Sequence, residues 1–420
     1  MSNRKKGLST LLGLVATGIM SVSCAYAQYD VYTPAAGGCG CAAPAPAPAS
    51  CGCSDCQGGA GSGFSFFGGC PEGLDDPWTL FGRRDGALNI GGWFSAGYHS
   101  ESNDLFNSHP DGFNLHQGWL FVEKVAEARQ DGGIGLGFRF DGVYGVDGPD
   151  TQSFGNSGPT FDLGNGFTRG AGFGWAIPQA YGEVAWGNWN VKVGHFYTLV
   201  GYEVVTAPDN FFYSHSITSF NSEPFTHTGA IASYSVNDDT TIYGGWTAGW
   251  DSGFDFAAGS NFLGGFSRQI NEDTAFTYIT TFGDFGARSA GNDDAYSHSL
   301  VLDMALTDNL QYIVQSDLLR IASTGEDNVG LNQYWIYNIN DCTAFGTRME
   351  WWKGDGVTGY APHGGILPAG GGSHSYYAAT FGVNRRIQKN ITVRPEYRVD
   401  WSPALGYSEG YFGMDVIATF

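Results

Sequence analysis

Three groups of residues in this chain have types and spacings that could do chemistry. The first is Gly406-Tyr407-Ser408-Glu409-Gly410, which matches the G-x-S-x-G pattern of a hydrolase nucleophile. That pattern works only at a strand-to-helix elbow, with an acid and a histidine further along the chain. Only ten residues follow Gly410 and none is histidine, so Ser408 is expected in a hairpin loop with no catalytic role. A P-loop lysine motif and a His-Glu-x-x-His pair are both missing from the sequence. The nine histidines are scattered over expected loops and strand ends, where solvation and hydrogen bonding are the ordinary roles. The chain is therefore expected not to be an enzyme and to need neither cofactor nor metal.

The second group is cysteine. Cys39, Cys41, Cys51, Cys53, Cys56 and Cys70 crowd into one early stretch, whereas Cys342 stands alone. Their C-x-C and C-x-C-x-x-C spacings lack the second ordered pair of a zinc module. Disulfides or crosslinks are expected instead if the chain is exported, within one chain or between chains.

The third group is charge set at alternate positions. From Ile391 to Trp401, one face carries Ile391, Val393, Pro395, Tyr397, Val399 and Trp401, and the other carries Thr392, Arg394, Glu396, Arg398 and Asp400. A period of two means a strand. Charges on one face of an otherwise apolar strand need water or each other, and a hydrated lumen supplies both. Ile134, Leu136, Phe138 and Phe140 oppose Arg139 and Asp141 in the same way, and Leu300, Leu302, Met304 and Leu306 oppose Ser299, Asp303 and Ala305. Around Phe113 to Val125 the alternation is poor.

The elements that position these groups follow from composition and turn chemistry. In 420 residues there are 65 glycines and 15% aromatics, a mixture that favours strands, tight turns and aromatic belts over helices. Arg4, Lys5 and Lys6, the apolar run Leu8 to Met20 and the small residues of Ala25-Tyr26-Ala27 read as an export signal over residues 1–27. Residues 28–87 read as a Cys/Ala/Pro/Gly-rich linker, with order expected to begin between Phe64 and Leu88. Past the signal there is no apolar run of about 18 residues, so a membrane crossing would have to use strands closed into a barrel.

From Leu88 onward, runs of alternating polarity are joined by two kinds of connection. Val236-Asn237-Asp238-Asp239-Thr240 and Ile270-Asn271-Glu272-Asp273-Thr274 are nearly the same short turn. Further short turns fall at Leu306–Leu310, Ile339–Thr343, Ile387–Ile391, Trp186–Trp189 and Glu127–Gly132. Longer connections fall near residues 99–113, 145–174, 197–225, 250–261, 283–295, 321–327, 354–373 and 402–409. Seven short turns and eight long loops join about sixteen strands. Short turns at one end and long loops at the other is the asymmetry of an outer-membrane barrel. The expected fold is thus an all-β, transmembrane, antiparallel up-and-down β-barrel over residues 88–420. A soluble antiparallel protein also alternates, but gives no reason for segregated loop lengths or for a chain that ends on a strand with Phe420.

The terminal strand Tyr411 to Phe420 resembles the assembly signal of outer-membrane barrels. The segment Ala207-Pro208-Asp209-Asn210-Phe211-Phe212-Tyr213-Ser214-His215, with Glu223-Pro224-Phe225-Thr226-His227-Thr228-Gly229, resembles the putative β-barrel porin-2 family, over about Asp85 to Phe420. The resemblance implies passive diffusion of small hydrophilic solutes and ions through a water-filled channel. It also implies that the third long loop folds inward as the constriction, carrying Glu203, Asp209, His215 and Glu223. The inward candidates across from it are Arg139, Lys192, Arg348, Glu350, Arg394, Glu396, Arg398 and Asp400. They either set a transverse field, or satisfy one another on their own wall, or do both.

The expected partners are outer-membrane lipid and small solutes or ions. A homotrimer is the analogy to general porins, and crosslinking through the N-terminal cysteines is a further expectation. A formal charge of −21 opposes nucleic acid and suggests a mild cation preference. Two rival functions remain open. Trp246, Trp250, Trp335, Trp351 and Trp352 would line a sugar-selective channel, although a lipid girdle is their expected place. Alternatively, the Cys-rich segment would make the barrel a structural tie within the envelope.

Overall fold

The computed structural model describes residues 69–71, 74, 77–81, 88–129, 131–156, 161–163, 172–286, 294–322, 325–355 and 373–420. The expected signal peptide, most of the linker and Cys39, Cys41, Cys51, Cys53 and Cys56 lie outside them.

Sixteen strands form one closed antiparallel barrel in which each strand pairs with its sequence neighbour. The first eight are β1 (Asn89–His99), β2 (Phe113–Lys124), β3 (Gly135–Gly145), β4 (Gly174–Trp186), β5 (Trp189–Tyr197), β6 (Thr226–Asn237), β7 (Thr240–Trp250) and β8 (Ser260–Asn271). The rest are β9 (Thr274–Asp284), β10 (Asp294–Thr307), β11 (Leu310–Ile321), β12 (Glu326–Asn340), β13 (Thr343–Asp355), β14 (Ser373–Gln388), β15 (Ile391–Ser402) and β16 (Tyr407–Thr419). Among the described residues, two short helices sit in the long loops: α1 (Asp147–Thr151) and α2 (Ile217–Ser222). All seven expected short turns and all eight long connections fall between these strands.

Closure is made by the chain's two ends. Trp93 opposes Thr419 and His99 opposes Gly413 where β1 meets β16. The terminal residue completes the seam: Phe420 N donates to Gly92 O (2.9 Å) and Gly92 N donates to Phe420 O (3.1 Å).

The expected parity holds along the wall. Phe94, Leu120, Phe138, Phe140, Ile242, Phe282, Tyr397 and Phe412 are exposed on the outside. Ser95, Asp141, Arg348, Arg398 and Asp415 are buried on the inside. An outward apolar band with polar residues inward suits a barrel surrounded by hydrocarbon.

Irregularities coincide with sequence features. The register of β1 against β2 shifts between Ser95 and Ala96, where Ser95 opposes Gln117 and Ala96 opposes Leu115. His116 is the extra residue of this bulge, so His116 and Gln117 are both buried. That is why the alternation of this strand reads poorly in sequence. Pro178 lies where β4 loses register with β3, between the pairs Asp141–Gln179 and Val143–Ala176. A proline has no N–H to give a ladder and is tolerated at such breaks.

Gly406–Gly410 forms no nucleophile elbow. Pro403–Leu405 is a 3-10 turn, Gly406 takes a left-handed conformation, and Ser408 is already part of β16.

The cysteine expectation needs correction. Cys342 does not stand alone: it forms a disulfide with Cys70. Cys342 occupies the turn between β12 and β13, which follows strands long enough to bring it to the barrel rim. The same rim holds the chain on either side of this link. Arg385 Nη2 donates to Gly69 O (3.0 Å) and Arg386 Nη2 donates to Leu74 O (2.6 Å). Asn390 Oδ1 accepts from Trp78 N (2.7 Å), and its Nδ2 donates to Trp78 O (2.7 Å). The end of the expected linker is therefore strapped across the turns β12–β13 and β14–β15. The spacing of cysteines could not show this, because the partner is 272 residues away.

Non-reducing peptide mapping is expected to recover a linked Cys70–Cys342 peptide. Reduction should make the segment before Leu88 protease-sensitive while the barrel stays folded, since its hydrogen-bonded closure does not involve the disulfide; loss of the barrel's gel mobility shift on reduction would contradict this.

Candidate functional site

The third long loop, residues 198–225, leaves β5 and returns to β6 through the barrel interior. It contains a 3-10 turn at Ala207–Asp209 and the helix α2, all of whose residues are buried. Ser216 caps α2, its side chain accepting from Ser219 N.

Wall side chains hold the loop by its backbone. Glu396 accepts from Tyr213 N and Ser214 N (2.9 and 3.0 Å), and Glu350 accepts from Ile217 N (2.7 Å). Arg394 donates to Ala207 O and Asn210 O (2.8 and 2.6 Å). Arg348 donates to Ser214 O (2.7 Å), Arg398 to His215 O (2.6 Å), and Gln117 to Val205 O (2.7 Å). A loop in a barrel has no ladder to join, so these polar side chains, most of them charged, take the place of one.

The same groups pair among themselves. Arg348 bridges Glu350 and Glu203, each at 2.7 Å. Arg398 reaches Asp400 at 2.6 Å and Glu350 at 3.3 Å, and Arg394 reaches Asp415 at 2.7 Å. Glu203 comes from the loop itself and also accepts from Ser216 N (2.7 Å). Burial alone would raise its carboxyl pKa, but Arg348 holds it well below the ordinary carboxylate range.

Aromatic packing completes the attachment. Phe211 and Phe212 pack with Ile313, Tyr334 and Ile336 of the wall. Tyr213 stacks on His99 with centroids 4.0 Å apart, and its hydroxyl lies 2.6 Å from His116 Nε2. Two wall glycines make room for these rings: a Cβ on Gly97 would meet the Tyr213 hydroxyl at 2.5 Å, and one on Gly346 would collide with the Phe211 ring. Phe220 and Phe225 of the loop meet Phe106 of the first loop in a core with Trp93, Trp119 and Trp352.

Most of the loop thus lies against the wall from β11 round to β2, while Leu199 and Val200 at its start pack against Ile231, Tyr243, Leu263 and Ile279 of β6 to β9. Toward the short-turn end, the side from β5 to β11 differs. Asn190, Ser233, Thr241, Gln269, Asp303 and Gln311 point inward there and are half-exposed. This is a polar, solvent-reached vestibule beside a filled wall.

A sequence model of the family "putative beta-barrel porin-2, OmpL-like" matches residues 87–418. The chain belongs to that family. Solved structures share its fold at low identity. The in-vitro folded trimer form of OmpT from Vibrio cholerae is 9% identical with a TM-score of 0.51, over 80% of this chain and all of that one (100%). The outer-membrane channel DcaP of Acinetobacter baumannii is 11% identical with a TM-score of 0.51, over 79% of this chain and 97% of that one. No curated protein matches the chain in sequence.

Within this porin-2 barrel, the residues singled out from sequence separate into groups. Arg348, Glu350, Arg394, Glu396, Arg398 and Asp400 converge with Glu203 and His215 on the loop-bearing wall. His215 Nδ1 stands 3.7 Å from Glu203. Asp209 is bound within the loop to Thr206. Glu223 lies at the far end of the loop, against Gln315 of β11. Arg139 and Lys192 belong to another part of the wall, where Arg139 pairs with Glu123 and Asp141 (2.7 and 2.6 Å) and Lys192 lies over the Tyr181 ring (4.9 Å).

The tryptophans divide too. Trp246 is exposed on the outer wall and Trp335 and Trp351 share its outward parity, whereas Trp250 and Trp352 are wholly buried inside, so the girdle does not hold for these two.

Sequence reading missed Asp415, although its parity on β16 marked it as inward. It also missed Asn103, which donates to Asp400 (2.8 Å), and Asp147, which accepts from Gln117 (2.8 Å) and meets His116 (3.0 Å). These last two come from the first and second loops, and no local pattern reveals which wall a loop residue will reach.

Arg348→Ala leaves Glu203 and Glu350 buried beside an empty site, which costs about 3–5 kcal/mol for a broken buried pair. The expected outcome is a folded barrel with lower resistance to denaturant and new protease cleavage within residues 198–225. An unchanged denaturation midpoint would refute the role given to Arg348.

Proposed function

We propose that the protein is an outer-membrane porin of a Gram-negative-type envelope, a channel rather than an enzyme, through which small hydrophilic solutes and ions diffuse passively. The observation that carries this reading is the folded-in third loop within a closed sixteen-strand barrel whose opposite side keeps polar, half-exposed inward residues. A barrel of this size encloses water unless something narrows it, and the loop narrows it. The constriction lies between the loop and the wall around Arg139 and Lys192, with Glu203, His215 and Glu223 turned instead toward the wall that carries the loop. The Arg348–Arg398 group acts mainly as the loop's anchor, because its donors are engaged with loop carbonyls and carboxylates.

The formal charge of −21 favours cations at the mouths. A homotrimer is the expected assembly, on the analogy of the OmpT structure described as a trimer form.

A second reading has one observation in its favour. The Cys70–Cys342 disulfide fastens the end of the Cys-rich segment to the short-turn rim, the periplasmic side in barrels of this kind. A structural tie through that segment would use this attachment.

Single-channel recording in a planar bilayer separates the two. Stepwise ohmic openings with a reversal potential of cation-preferring sign are expected under a salt gradient. Anion selectivity would reject the charge argument, saturable block by one sugar class would make the channel substrate-selective, and silence from a folded barrel would favour the structural tie.

A further inference from the structure

The closing end of the third loop is held by a contact unlike the arginine-based anchors. Glu223 of the loop and Asp317 of β11 are both buried, with 2% and 3% of their surface exposed. Gln315, also on β11, stands between them. Its side-chain oxygen accepts from Tyr202 N (3.2 Å), which turns its amide nitrogen toward the two carboxyls. That nitrogen donates to Glu223 Oε1 and to Asp317 Oδ2, each at 2.5 Å. Both carboxyls thus lie within reach of one amide nitrogen, close enough to act on each other electrostatically. Two ionised carboxylates placed so close in a buried site would repel each other, and a proton on one removes that repulsion and supplies a donor.

We propose that Glu223 and Asp317 share one proton and form a pH-sensitive latch that keeps the closing end of the third loop on the wall. While the proton is present, the pair carries one negative charge spread over a hydrogen-bonded system. Losing it to solvent places two like charges side by side in a buried site, which like-charge repulsion and desolvation both oppose.

The groups around the pair reinforce this. From the loop, Glu203 adds a further negative charge that acts on Glu223. From β13, Arg348 is engaged with Glu203 and Glu350. From β10, Ser299 faces Asp317. From β12, Asn332 and Tyr334 are neutral and bonded to Thr218 and Glu203. From the end of β7, Asp251 accepts from Phe225 N and Thr226 N, just beyond the latch (2.9 and 2.8 Å).

Burial and then Asp317 push the Glu223 carboxyl well above its ordinary range. A folded-state carboxyl that keeps its proton to higher pH than the unfolded chain stabilises the loop below that raised value. The contribution is lost as pH rises through it. Acid should therefore seat the loop end and alkali should free it, the reverse of the ion pair at Glu203.

The consequence for permeation rests on the porin reading above, but the shared proton can be measured in a barrel that conducts nothing. Infrared spectroscopy of the full-length folded protein should show the C=O stretch of a protonated carboxylic acid at neutral pH, vanishing at alkaline pH. The band should be missing in Glu223→Gln and in Asp317→Asn. Hydrogen exchange of residues 198–225 should lose protection at alkaline pH in the wild type and stay flat in Glu223→Gln, and channel recordings should show the same contrast. Gel mobility before and after heating checks that each variant is folded, and the wild-type titration stands if one is not. An identical band in wild type and Glu223→Gln would overturn the latch. So would loss of the band on adding calcium at neutral pH, which would make the pair a cation site. Silent recordings with the infrared contrast intact would leave the latch standing and reject the channel.

Discussion

A backbone that crosses hydrocarbon has no water to bond with, so every strand must find its ladder partners inside the molecule. This constraint shapes the rest of the barrel. Sixteen strands satisfy it by closing on themselves, and the seam depends on the final residue, Phe420, bonding back to Gly92. Closure leaves no edge strand to protect and forces each residue to face either lipid or lumen. The alternation of facing along each strand follows from it, broken where β2 bulges at His116.

Polar groups turned inward would meet water in an empty barrel. Here the third loop meets many of them first. Charged groups removed from water are stabilised only when each is paired and its remaining hydrogen-bonding capacity filled. Arg348 and Arg394 meet that condition by donating to wall carboxylates and to loop carbonyls at once, and Arg398 does the same through Nε and Nη1 while its Nη2 is left without a hydrogen-bond partner among the described residues. Loop and wall charges are therefore mutually dependent: the loop has no ladder without the arginines, and the arginines have no complete shell without the loop. Glycines in the wall, such as Gly97 and Gly346, let the aromatic side chains of Tyr213 and Phe211 seat closely, so the interface is shaped as well as charged.

The two ends of the loop are held differently. The middle is fixed by permanent cations, whose charge does not change in the physiological range. The closing end, at Glu223, is fixed through carboxyls and one neutral amide. The proposed loosening at alkaline pH belongs to the segment that re-enters β6. At the opposite end of the barrel, the Cys70–Cys342 disulfide and the contacts of Arg385, Arg386 and Asn390 hold the chain leading into β1. The barrel thus carries an anchored element inside it and another along its short-turn rim.

Sequence by itself determined the barrel. Period-two alternation, Asn-Asp turns, unequal loop lengths and a terminal Phe are local signals, and strand count and facing follow from them because a strand's side chains can point only two ways. Parity even identified the inward charges of β13 and β15. It could not say what those charges would touch. Which of the wall's cations meet the loop and which, like Arg139, pair with carboxylates of the wall depends on how residues 198–225 cross the interior. The poor alternation of β2 became intelligible only with the bulge at His116, a property of its register with β1. Cys342 found its partner 272 residues away because barrel closure brings the chain's beginning back to the rim of late strands. Contacts between distant segments are set by the three-dimensional path of the chain, and no pattern within either segment encodes them.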